Sequence, residues 1–86
     1  MGNIRERLVD LGLSDSLVFD NPSFDSAIIG FDAVTERVIY DYNKMIKCLL
    51  DSKTSIEDAI EFIEYNTLRS IPYMGEKAPI VMKDIK

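Results

Sequence analysis

At 86 residues and 47% hydrophobic, the chain makes a single domain with a thin core and is too apolar for intrinsic disorder. It has no histidine and one cysteine, Cys48, which excludes a disulfide framework and any Cys/His zinc centre. The net charge of −5 falls on the first half: residues 1–43 carry three basic and eight acidic side chains, residues 44–86 seven of each. Direct nucleic-acid binding is therefore not expected, because it rests on clustered Lys and Arg.

The first element reads as a short helix from Asn3 to Leu11. Asn3 and Glu6 stand at capping-box spacing, and Ile4, Leu8 and Leu11 fall on one face. Gly12 sits where a left-handed C-terminal cap belongs, with Leu13 folding back on the last turn. This opening lacks the apolar core of a signal peptide, and Glu6 stands where a Gly2 myristoylation site needs Ser or Thr. No apolar run approaches the ~20 residues that span a bilayer. The expectation is a cytoplasmic protein with no membrane partner.

Between Ser14 and Phe24 two readings stand. Leu17-Val18-Phe19 forms a short strand, or Leu17, Phe19 and Phe24 are plugs over one side of a sheet; Asp20-Asn21-Pro22-Ser23 is turn chemistry. The clearest β signal follows. Residues 27–31 and 37–41 have strand length and apolarity, joined by a five-residue hairpin loop from Asp32 to Glu36. Val38 and Tyr40 share one face, with Arg37, Ile39 and Asp41 on the other. Gly30 inside the first strand marks a bulge or a close backbone approach.

A helix is predicted from about Asn43 to Ser52, with Met45, Ile46, Leu49 and Leu50 as its buried stripe. Cys48 at the stripe's edge is read as a small buried hydrophobe, since no histidine can activate it. Thr54 with Glu57 caps the next helix, and Ser55 with Asp58 offers the same box one residue later. Ile56, Ala59, Ile60, Ile63 and Thr67 make its inward stripe, flanked by Phe62. Glu57, Glu61 and Glu64 row along the outside as a solvated face, not a metal site. Pro72 ends this helix near Ser70. Pro72-Tyr73-Met74-Gly75 forms a turn, Ala78 to Met82 a returning strand, and residues 83–86 a frayed tail.

The elements sum to an α+β fold: a small, mainly antiparallel sheet of hairpin plus returning strand, with two helices packed on one face. Val81 is expected to pair near Ile28 or Val38. No nucleophile elbow, phosphate loop or dinucleotide fingerprint is present, and no cofactor is expected. The candidate binding residues are Tyr65, Asn66, Arg69, Tyr73, Gly75 and Lys77, gathered around one helix terminus. They offer rings to stack on, a planar guanidinium, and backbone that a ligand can approach. The same residues also have structural readings, with Arg69 on late helix carbonyls and Tyr73 as a core lid.

The strings from Phe24-Asp25 through Ala27-Ile28-Ile29-Gly30, then Tyr40-Asp41-Tyr42 with Lys44-Met45, carry a resemblance. So does the ending built on Tyr65-Asn66-Thr67, Arg69, Pro72-Tyr73, Gly75, Ala78-Pro79-Ile80 and Met82. Together they resemble a family of small uncharacterised domains encoded by phages and prophages of Firmicutes-type bacteria, over about residues 24–82. This sequence departs from it at the hairpin tip, where Ala33-Val34-Thr35 replaces a tight Gly-containing turn. The resemblance brings no established biochemical activity and implies an accessory role in a host cell; the missing catalytic motifs make a non-enzymatic protein the expectation. Two mechanisms follow. One is inhibition of a host defence or regulatory protein by direct binding. The other is sequestration of a small phosphorylated, nucleotide-type ligand at an inter-subunit pocket. A homo-oligomer is expected in either case.

Overall fold

The computed structural model describes residues 4–13, 17–19, 24–50 and 53–85. The expected Asn3 cap, the turn at Asp20–Ser23 and the last helical residues Asp51 and Ser52 lie outside them. Helix α1 spans Ile4–Asp10. Gly12 takes φ +80°. The Gly12 N–H bonds the Val9 carbonyl at 3.0 Å and the Leu13 N–H that of Leu8 at 2.8 Å, which is the two-bond glycine cap expected. Leu8 and Leu13 are buried by this return, whereas Leu11 is exposed.

Strand β1 (Ile28–Phe31) follows a single 3-10 turn at Asp25–Ala27, and strand β2 runs Val38–Asp41. They pair antiparallel, Ile28 with Tyr40 and Phe31 with Val38, and the register slips between Ile28 and Gly30. The glycine thus sits at a bulge. The connecting loop is one residue longer than expected, covering 32–37. It is closed by the Asp32 N–H on the Arg37 carbonyl at 2.8 Å, with Glu36 at φ +62°. The Asp32 carboxylate accepts the Val34 N–H at 2.8 Å. That bond, with help from the Thr35 hydroxyl, holds its pKa below the usual carboxylate value.

Helix α2 covers Tyr42–Leu49 and ends before Leu50, which the expected helix included and which is already extended at ψ 127°. Met45 is fully buried, Ile46 and Leu49 half-buried, and Leu50 exposed. Helix α3 (Ile56–Phe62) uses the second capping box: Ser55 Oγ accepts the Asp58 N–H at 3.1 Å. Ala59, Ile63 and Thr67 form the buried stripe, but Ile56 is 57% exposed, since it belongs to the unpacked first turn. The helix then loosens into a π turn at Ile63–Thr67 and tightens again as α4 (Leu68–Ser70). A 3-10 turn at Ile71–Tyr73 contains Pro72, and Gly75 follows at φ +89°.

Strand β3 is shorter than expected, Ile80–Met82. Among the described residues it pairs with β2 alone and runs parallel to it, Ile39 with Ile80 and Val81 with Tyr40, so the sheet is mixed in the order β1-β2-β3. Val81 therefore lies two positions beyond Val38 and on the strand opposite to Ile28's. Val38 and Tyr40 of β2 meet Met45 and Ile63 in one core, which Phe19 and Phe24 close with rings 6.0 Å apart, edge to face. Of the two readings of this segment the plugs hold for both phenylalanines; residues 17–19 form no strand, and Leu17 is 37% exposed.

Candidate functional site

The helical run from Ile56 to Ser70 presents the residues singled out from the sequence in two groups. Tyr65 and Arg69 lie one turn apart, and the Arg69 guanidinium sits 5.0 Å from the centre of the Tyr65 ring. The stacking fixes a flexible cation over an exposed aromatic face. Both line an open cavity of about 550 Å³ along the helix, together with Glu57, Glu61 and Glu64. Glu57 and Glu61, with Glu64 already paired to Lys83, outweigh one guanidinium and leave this surface mildly electronegative, a poor seat for phosphate.

Tyr73, Gly75 and Lys77 stand beyond the helix end and take no part in that cavity's lining. Tyr73 is 90% exposed and does not act as a core lid. Lys77 donates to the Thr35 carbonyl at 3.2 Å, which ties the segment before β3 to the hairpin loop. Asn66 is exposed on the π turn. The expected six-residue patch thus divides into a Tyr65–Arg69 pair with the exposed Asn66, a solvent-facing Tyr73 and Gly75 beyond the helix end, and a Lys77 tied to the hairpin loop.

A second polar cluster, which sequence reading missed, gathers where β2 and β3 end side by side. The Tyr42 hydroxyl donates to Glu64 Oε2 at 2.7 Å, and Lys83 Nζ reaches the same oxygen at 3.1 Å. The Lys83 ammonium also lies 4.5 Å from the Tyr42 ring centre. Burial, then the Glu64 hydrogen bond, pushes the Tyr42 pKa up to about 12. The Tyr42 hydroxyl, then Lys83, holds Glu64 below its ordinary value. Beside them Asp41, at the N-cap of α2, keeps Oδ1 buried without a hydrogen-bond partner among the described residues. The row Glu57, Glu61, Glu64 hides this role in the sequence; the signal for it is Lys83, one residue past a strand parallel to the one that leads into Tyr42.

Cys48 is half-buried against the core with its sulfur 3.0 Å from Ser26 Oγ, which fits the packing role expected of it. Among the described residues no group of three or more His, Cys, Asp or Glu side chains is placed to hold a metal ion. No described helix is long and apolar enough to cross a membrane. Comparison of the chain with family models, with curated proteins and with solved structures gave no match.

Proposed function

We propose that this chain is a non-enzymatic binding protein that docks a partner protein through the surface around Tyr65, Arg69 and Tyr73. The observation that carries the reading is exposure: Tyr65 is 60% and Tyr73 90% exposed. Tyrosine and arginine are the residues that contribute most when desolvated at an interface, because a rigid ring covers large area at little entropic cost. The acidic wall of Glu57, Glu61 and Glu64 beside them selects a partner with a basic face. The other reading, a small phosphorylated ligand at an inter-subunit pocket around Arg69, Tyr73 and Lys77, finds only Arg69 of those residues in this cavity, where acidic side chains face it. On the resemblance of the C-terminal string to phage-encoded domains, the partner is a host defence or regulatory protein that the binding inhibits.

The test is a paired capture experiment from host extract, wild type against the Arg69→Ala/Tyr73→Ala double variant. Both side chains lie outside the core, so the variant keeps its circular dichroism spectrum and unfolding midpoint. A specific partner is expected to bind the variant about thirtyfold more weakly, for an interface residue worth roughly 2 kcal/mol. Equal binding by a folded variant would place the interface elsewhere.

A further inference from the structure

Strand β3 is an edge of the described sheet: β2 is its only neighbour among the described residues, and no described strand pairs with its outer backbone edge. Along that edge lies a groove of about 560 Å³ whose apolar surface comes from the half-buried Leu68, Ile71, Ile80 and Val81, with the fully buried Pro79 behind them. A strand edge facing a helical wall is the geometry in which an extended peptide adds to a sheet, its backbone paired and alternate side chains seated against the wall.

The charge of the groove names the occupant. Arg37 and Lys83 complete its lining, and none of its lining residues is acidic, on a chain whose net charge is −5. The two cations bracket the strand. Arg37 Nε donates to the Ala78 carbonyl at 2.6 Å, just before Pro79, and Lys83 directly follows Met82. Neither is exhausted by its bond within the chain. The guanidinium retains its terminal nitrogens, and an ammonium with three protons gives one to Glu64 at 3.1 Å. From residue 79 to 83 an extended chain advances about 13 Å, at ~3.3 Å per residue. An extended ligand of that span reaches the levels of both cations with acidic residues four positions apart.

We infer that the β3 groove binds an extended peptide segment of a partner protein, apolar in its middle and flanked by carboxylates four residues apart. A second copy of this chain is a poor occupant in the same mode. Antiparallel pairing of two β3 edges about a two-fold axis brings Arg37 and Lys83 of one chain against the same cations of the other. The inference stands apart from the Tyr65–Tyr73 surface, which prefers a basic face.

The probe is the acetylated, amidated peptide Glu-Val-Ile-Val-Glu, titrated to millimolar concentration into isotope-labelled protein and followed by amide resonances. Saturable shifts are expected at Ile80, Val81 and Met82, extending to Leu68 and Ile71. The analogue Lys-Val-Ile-Val-Lys is expected to bind at least about tenfold more weakly, since two ion pairs are exchanged for two repulsions. Of two analogues N-methylated at alternate amides, the one blocked on the strand-facing edge is expected to lose binding. Absence of shifts at β3, equal binding of the acidic and lysine peptides, or indifference to both methylation patterns would each overturn the inference. So would β3 amide shifts that appear on changing protein concentration alone, which would give the groove to a second copy.

Discussion

Two tyrosines two residues apart do different work, and each is testable by its hydroxyl. Tyr40 is fully buried and its oxygen accepts the Phe19 N–H at 3.0 Å, so the irregular segment before β1 is anchored on the central strand. Tyr40→Phe leaves that N–H buried without its acceptor. The expected loss is about 1–3 kcal/mol of unfolding free energy, read from the urea midpoint at unchanged slope. The alternation of β2 made the burial of Tyr40 legible in the sequence; its bond to Phe19 was not, because residues 17–19 carry no periodicity to place them. Tyr42 works through titration. Its folded pKa of about 12 lies above the ordinary 10.0, so its contribution is complete below pH 10 and fades as pH rises towards 12. Glu64 is held below its ordinary 4.5, so its contribution is present above that pH and is lost as pH falls through the lowered value. Stability should therefore hold a plateau between these limits. Glu64→Gln is expected to flatten the acid arm and bring the Tyr42 resonance titration down from about 12 without reaching 10.0, because burial, the larger cause, remains.

At the scale of elements, helix α3 depends on a cap that the sequence offered in two registers. Ser55, not Thr54, accepts the N–H three residues on. Ser55→Ala should cost about 1 kcal/mol, seen as a lower thermal midpoint. The hairpin, the Gly30 bulge, the Gly12 cap and the stop near Ser70 were all legible, since each follows from local backbone chemistry. The π turn was not. Opening one helical turn changes few local bonds; what selects it is the burial of Ile63 and Thr67 while Tyr65 and Asn66 stay outside. The direction of β3 has its signal in the order of elements: a strand followed by helices and another strand is the connection that parallel neighbours require. Of the candidate residues, chemistry marked Tyr65 and Arg69, whereas the separation of Tyr73 and Lys77 from them depends on the 3-10 turn after α4.

For the molecule as a whole, one core serves every layer. Leu8 and Leu13 from the α1 cap, Phe19 and Phe24, Val38 and Tyr40 of the sheet, Met45 of α2 and Ile63 of the π turn belong to a single buried cluster. A chain of 86 residues has about 4–13 kcal/mol of stability in total, at roughly 0.05–0.15 kcal/mol per residue. Met45 is fully buried at the centre of that cluster, and Met45→Ala should remove about 2–5 kcal/mol, a large share of the whole. Because the described elements share this one cluster, the loss is not expected to be confined to α2. Far-ultraviolet ellipticity, which reports the helices, and tyrosine fluorescence, which reports the sheet and the exposed rings, should shift together to one lower urea midpoint. Two separated transitions would mean that the sheet and the helical run fold as independent units, and the shared cluster would then be contact without cooperativity.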